Sequence, residues 1–285
     1  MKKLMMLMLA AACYQAGYCQ SDTTKPKEGG DTIRVGSIII VNKGGSNYDV
    51  TNNPTYKKRT YKRSNISTNW LVFDIGYSGF NDKTNYNTAE AQGFLQNPQG
   101  NPLYEGDFAT KGIRISNFSL WFFMQRLNLY KHVINLQYGF GIENNNYYYK
   151  TPITYVDGGT VFVKRDDVLF SKNKLAADYF TAPLMLNFNA TPNARNGGIQ
   201  LSVGVSGGFL YSARQKQKSD ERGKQKEKTD FNLERWKLAY VAELGIGPVK
   251  LFGSYAFTPL HKYGIEQYPY NVGIRFSADT WEANF

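Results

Sequence analysis

The chain has 285 residues, 15% of them aromatic, with 34 basic against 23 acidic side chains. Its two cysteines, Cys13 and Cys19, both fall in the first twenty residues, which excludes a thiol redox function or a zinc–thiolate site from the rest of the chain. Beyond the N-terminal apolar run no stretch approaches the roughly 18 to 20 apolar residues of a membrane helix, so a membrane-embedded form has to cross as strands.

Residues 1–20 place Lys2 and Lys3 before an apolar run from Leu4 to Ala12, followed by small residues. This is the layout of a cleaved secretory signal. An alternative reads Ala10 to Cys13 as a lipoprotein cleavage box, with only a short apolar core before the cysteine. Without Lys2 and Lys3 the chain carries 32 basic and 23 acidic groups, a net charge of +9. That charge suits an anionic lipid surface as well as nucleic acid, so its placement has to decide. Residues 21–65 form a polar leader, one short strand candidate (Thr32 to Val41), and a stretch bearing Lys57, Lys58, Arg59, Lys62 and Arg63. They read as a periplasmic N-terminal extension and basic linker. The cluster is either solvated or set against anionic headgroups.

Residues 66–277 change register to segments of about ten residues with apolar side chains at every second position, the pattern of strands facing lipid on one side and a lumen on the other. Eight such segments are predicted. Leu71, Phe73, Ile75 and Tyr77 face lipid in the first. Phe118, Leu120, Phe122 and Met124 do so in the second, where Trp121 and Phe123 blur the contrast. The third sets Ile134 through Ile142 outward against Asn135, Gln137 and Glu143. In the fourth, Pro183 interrupts the inward face and calls for a bulge, because proline cannot donate to the ladder. The fifth turns Gln200, Ser202, Gly204, Ser206 and Gly208 inward, the sixth sets Trp236 through Leu244 outward, and the last two carry Val249 to Phe257 and Tyr270 to Phe276. Short links at 127–132, 190–198 and 245–248 alternate with mostly longer ones at 81–111, 147–173, 212–232 and 259–267, as outer-membrane barrels alternate periplasmic turns with external loops. The expectation is all-β: an eight-stranded antiparallel transmembrane β-barrel with both termini in the periplasm and a C-terminal tail at 278–285. A soluble sandwich or lipocalin-like barrel also alternates, but does not need this loop asymmetry.

The stretches NWLVFDIGYSGF, FFMQRLNLYKHVINLQYGFGIENNNYYY, NKLAADYFTAPLMLNF, KQKSDERGKQKEKTDFNLERW and LFGSYAFTPLHKYG together resemble the Bacteroidota-type outer-membrane β-barrel family, related to porin-like barrel proteins. The resemblance covers about residues 66–277 and implies fold and an outer-membrane location. It carries no catalytic residues, since members are mostly of unknown function. The tail after Phe276 leaves open whether Phe276 or Phe285 supplies the aromatic end read at insertion by the barrel assembly machinery.

Inward phase is expected for Asp74, Glu143, Arg235, Lys237, Glu243, Lys250 and Arg275. An eight-stranded lumen is barely wide enough for its side chains, so these charges should pair with one another rather than line a pore. The segment from Ser212 to Asp230, read as an external loop, carries Arg214, Lys216, Lys218, Arg222, Lys224, Lys226 and Lys228. It suits lipopolysaccharide phosphates or plain solvation; without interleaved aromatics it is no nucleic-acid surface. Tyr147, Tyr148, Tyr149, Trp70 and Trp236 read as girdle aromatics. His132 and His261, the only histidines, read as surface residues, which disfavours a His-based lipid A hydrolase or acyltransferase. No cofactor, metal site or catalytic constellation is expected. The function expected is that of a non-enzymatic scaffold for surface binding, envelope integrity or secretion and assembly support. Its partners are outer-membrane lipid and lipopolysaccharide, with any protein partner unknown. The alternatives are a narrow solute pore and, behind it, a lipid A-modifying enzyme.

Overall fold

The structure is a computed structural model. It describes residues 64–277, except 92, 97–100, 113, 160, 193–197 and 247–248, and three short strands before them. The signal, the basic cluster from Lys57 to Arg63 and the tail at 278–285 lie outside the described residues. The chain divides into two units, residues 1–62 and 63–285. In the first, β1 (Thr32–Val35), β2 (Ile38–Asn42) and β3 (Tyr48–Asn52) form an antiparallel sheet in sequence order. The single strand expected over Thr32 to Val41 is thus two strands paired with each other, Ile33 opposite Ile40.

In the second unit, eight strands close a ring: β4 (Ile66–Asp82), β5 (Asn117–Tyr130), β6 (Ile134–Tyr148), β9 (Lys172–Asn189), β10 (Ile199–Ser219), β12 (Trp236–Ile246), β13 (Val249–Ala256) and β14 (Gln267–Phe276). Each pairs antiparallel with its neighbours, and β14 returns to β4 to complete the barrel. Three further strands lie outside the ring: the hairpin β7 (Ile153–Asp157) and β8 (Val161–Arg165), and β11 (Gly223–Glu227), which continues β10 as a hairpin. Among the described residues no helix is long and apolar enough to cross a membrane. The crossing is by strands, whose outward positions Phe73, Ile75, Leu184, Leu186, Val203, Val205, Leu244 and Val272 are exposed apolar side chains.

Period two holds along most strands, and its breaks are bulges. Against β6 the register shifts between Trp121–Gly141 and Phe123–Phe140, with Phe122 as the extra residue, and opposite it Leu71, whose φ is 56°, drops out of the β4–β5 ladder. The extra residue reverses which parity of β5 faces inward. Met124, expected to face lipid, is therefore buried inside against Val72, Trp121 and Met185. No bulge forms at Pro183. Its register with Ser206 is unbroken, and on the β6 side the ladder skips Ala182 and Pro183 without shifting. Placing proline where one ladder is interrupted removes the need for its missing donor.

The β5–β6, β9–β10 and β12–β13 connections are at one end of the ring. The first is a hairpin turn in which Lys131 and His132 have φ of 45° and 57°, and Val133 N–H donates to the Tyr130 carbonyl at 2.9 Å. Paired positive φ values match the right-handed twist of the flanking strands. At the other end the strands run on well past a membrane. β10 has 21 residues, where about 9 to 11 tilted residues suffice to cross. The segment Ser212 to Asp230 is accordingly not an open loop; its first half is strand β10 and its middle is the β10–β11 hairpin.

Candidate functional site

The lumen is closed by paired charges. Arg275 donates from Nε to Asp74 Oδ1 at 2.7 Å and from Nη2 to Asp74 Oδ2 at 2.6 Å, and its Nη1 binds Glu243. Trp121 Nε1 donates to Asp74 at 2.7 Å, and Gln137 Nε2 donates to Glu243 Oε2 at 3.1 Å. Arg275 also lies over the Trp121 ring, 4.9 Å from its centroid. A second centre forms where Lys237 binds Glu143, which also accepts from Asn145 at 3.0 Å and Asn271 at 2.8 Å. Lys250 is buried directly across the ladder from Arg275. Three acids thus share the interior with Lys237, Lys250, Arg275 and the half-buried Arg126, and the desolvation of Asp74, Glu143 and Glu243 is met by Arg275, Lys237 and neutral donors. The void left among them is about 30 Å³, room for about one or two waters.

A closed antiparallel ring whose exterior is apolar and whose interior is polar inverts the arrangement of a water-soluble barrel and fits a bilayer. A family model described as outer membrane protein beta-barrel domain matches residues 106–263, more than half of the chain. The chain belongs to this family. It is an integral protein of the outer membrane. A comparison with curated proteins found no match.

Within this outer membrane β-barrel, the long connections mark the external end by the usual rule for such barrels. They are folded together. Phe94, Leu103, Phe108, Tyr147, Tyr149, Ile153, Tyr155, Leu175, Phe231, Leu233 and Leu260 are buried in one apolar cluster over the barrel mouth. Arg165 clamps the β7–β8 hairpin to the 3-10 turn Glu105–Phe108 through both oxygens of Asp107, at 3.0 and 2.6 Å. Tyr147 and Tyr149 are therefore part of the cap and not of a girdle, because the continued inward phase of β6 turns them over the lumen. Tyr148 alone faces outward, under Arg114 at 4.0 Å. Trp70 and Trp236 are exposed, at 65% and 56%, as girdle residues would be.

His261 is not a surface residue. It is 1% exposed, stacked on Tyr155 with ring centroids 5.7 Å apart and met edge-on by Phe94. Neither ring nitrogen has a hydrogen-bond partner among the described residues. Burial without a partner pushes its pKa down to about 3, so the imidazole is neutral. His132 lies in the turn at the opposite end of the barrel.

Between the β7–β8 and β10–β11 hairpins opens a cleft of about 520 Å³. Its walls are polar: Thr154, Lys164, Asp166, Gln217, Arg222, Gln225, Lys228 and Thr229 are among them, with Tyr155 and Val156 as the apolar part. Arg222 is tied to Asp166 at 2.9 Å, and Thr229 donates to Asp157 at 2.8 Å.

Six of the seven expected lumen charges are buried inside. Arg235 is not; it precedes β12 in a bend, its side chain is exposed, and its N–H is held by Glu234. Of the seven basic residues expected to meet lipopolysaccharide, Arg214 binds Asp178 and Arg222 binds Asp166, so both are committed internally. Lys216, Lys218, Lys224 and Lys226 share one face of the β10–β11 hairpin, and Lys228 lines the cleft. Sequence reasoning missed Trp121 and the amides around Glu143, because a bulge hid the phase of the first and neutral polar residues carry no distinctive pattern.

Proposed function

We propose that this outer-membrane barrel is a non-enzymatic scaffold that binds at its cell-surface rim, with the cleft between the two hairpins as the place a polar ligand enters. One observation carries the reading: the lumen is shut by buried ion pairs, while the external connections share an apolar core and hold an open polar cleft above it. A solute path would need the reverse, a wet lumen and mobile loops. The buried, hydrogen-bond-free state of His261 supports the absence of acyl-transfer chemistry, since a general base must reach the proton it takes. Export by the signal at residues 1–20, a Gram-negative host of the Bacteroidota type and insertion by the barrel assembly machinery belong to the same proposal. The test is reconstitution of the full-length protein in planar bilayers, with glycan and peptide binding measured in parallel. No stepwise conductance is expected, and binding should be weakened by Lys164→Ala and Gln225→Ala. Regular conductance steps would replace this reading with a pore; an altered lipid A acylation pattern on overexpression would replace it with an enzyme.

A further inference from the structure

Above the membrane the wall formed by β9, β10 and β11 carries a lattice of lysines, of which Lys172, Lys218, Lys224 and Lys226 are exposed, Lys216 is half-buried, and Lys174 is buried, donating from Nζ to Asn146 Oδ1 beside the Tyr148 ring. Lys172, Lys218 and Lys224 are directly opposite one another across the three strands. Two residues along, Lys174, Lys216 and Lys226 repeat the row. Neighbouring strands are about 4.8 Å apart and alternate residues about 7 Å apart, so six ammonium groups occupy a patch about 10 Å by 7 Å. Like charges facing each other across a ladder are destabilising. Among the described residues none of the six is in an ion pair, the nearby acid Asp178 being taken by Arg214.

The face that carries them is the outer one. Gln215, Gln217 and Ser219 alternate with these lysines and are buried inward, as are Leu175 and Ala177 on β9. The height is also defined. The last lipid-facing aromatics on this wall are Phe180 and Tyr211, with ring centroids 4.4 Å apart. Lys216 and Lys218 follow Tyr211 by five and seven residues, which at about 3.3 Å per residue and a tilt near 45° places them about 12 to 16 Å above those rings. That is the layer of the phosphorylated sugars of the outer leaflet, not of its acyl chains.

Crowding is felt at the charges themselves. Burial, and then Lys172 and Arg214, push Lys174 down to about 8, and Lys216 is lowered by burial and the same neighbours. An anion seated on the lattice would relieve both. We propose that these six lysines are a binding platform for the phosphate groups of outer-leaflet lipopolysaccharide, taking the place that divalent cations otherwise hold between those phosphates. Tyr148, beside Lys174 in the ladder and covered by Arg114, borders the platform.

The experiment uses the full-length protein refolded in neutral detergent and purified bisphosphorylated lipid A as probe. The triple variant Lys172→Gln/Lys218→Gln/Lys224→Gln, which changes the exposed row, should bind it at least tenfold more weakly. A control of equal charge change elsewhere, Lys83→Gln/Lys131→Gln/Lys150→Gln, should bind within twofold of the parent. Without lipid the lattice variant should melt at a higher temperature than the parent, because repulsion is removed; added lipid A should raise the parent and leave the variant unmoved. Equal binding by both variants, or equal affinity for dephosphorylated lipid A, would overturn the proposal. Displacement of lipid A by millimolar inorganic phosphate would assign the lattice to free phosphate, and equal binding of an acidic protein or polysaccharide would make it a general polyanion surface; either result also overturns it. None of these outcomes bears on conductance, so this proposal and the scaffold reading fail separately.

Discussion

Arg275 is the single side chain on which the closed lumen most depends. It serves two carboxylates, both oxygens of Asp74 and one of Glu243, and all three residues are buried. Arg275→Met keeps much of the volume but takes away the one guanidinium that bridges the two acids. Removing one partner of a buried pair costs about 3–5 kcal/mol, and with two carboxylates orphaned the loss should reach the upper end, about 5 kcal/mol. Against a total stability of about 5–15 kcal/mol, that is a third or more. The companion variant Asp74→Asn/Glu243→Gln/Arg275→Met removes the charges together, and its loss should stay below about 2 kcal/mol, since uncharged replacements of buried ion groups are often neutral. Urea unfolding in lipid vesicles, followed by tryptophan fluorescence, reads both; Trp121 lies in the network and reports on it directly. A loss under about 1 kcal/mol for Arg275→Met would refute the reasoning, and so would an equal loss in the triple variant.

The remaining predictions concern the cap and the turns. His261 binds a proton at about 3 when buried and at 6.5 when exposed, so the opened cap takes up more protons between those values and closure weakens as pH falls through 6.5 toward 3. At pH 4.5 the loss is about 2–3 kcal/mol, visible as faster amide exchange in residues 257–266. His261→Phe should flatten this dependence between pH 6 and 4.5, a window above that in which Asp166 and Asp230, both held low, begin to titrate. Phe108→Ala empties a fully buried site of the cap and should cost about 3–5 kcal/mol there, raising protease sensitivity of the outer hairpins while heat-modifiable migration on gels persists. His132→Gly at the left-handed turn should stabilise the barrel by about 1 kcal/mol, measured as a shift in the urea midpoint; destabilisation would mean the imidazole is needed.

Much of the barrel was legible because period two is a strong signal wherever one face meets lipid. The outward sets of β6, β9 and β12 and the inward set of β10 up to Gly208 follow from alternation alone, and the charges Asp74, Glu143, Lys237, Glu243, Lys250 and Arg275 follow with them. What alternation cannot show is where it slips. Leu71 and Phe122 look like ordinary members of their strands, yet Phe122 is the extra residue of a bulge and Leu71 opposite it has a positive φ, so Met124 and Trp121 were misplaced or left ambiguous. Arg235 failed for a related reason: one residue before a strand, the chain no longer obeys its pleat. The cap was invisible for a different cause. Its core is assembled from residues as far apart as Phe94, Tyr155, Phe231 and Leu260, none of which lies in a periodic segment long enough to announce a buried face.

The same slip explains how one strand serves two environments. Within the membrane β10 turns Leu201, Val203, Val205 and Phe209 outward to lipid and Ser202 and Ser206 inward. The register shifts between Leu210 and Ser212, with Tyr211 as the added residue. Beyond it, Ala213, Gln215 and Gln217 face inward while Lys216 and Lys218 face out. β9 makes the corresponding change in chemistry, from Thr181 and Asn187 inside to Leu175 and Ala177 inside. Above the bilayer the wall therefore carries uncharged side chains within, Leu175, Ala177 and Ala213 beside the hydrogen-bonded Asn173, Gln215 and Gln217, and charges without. Unbroken alternation would have sent Lys216 and Lys218 into the apolar cap, where each would need a buried counter-charge. The Tyr211 bulge spares the cap that cost, and in doing so it also gathers the lysines onto the outer face of the wall.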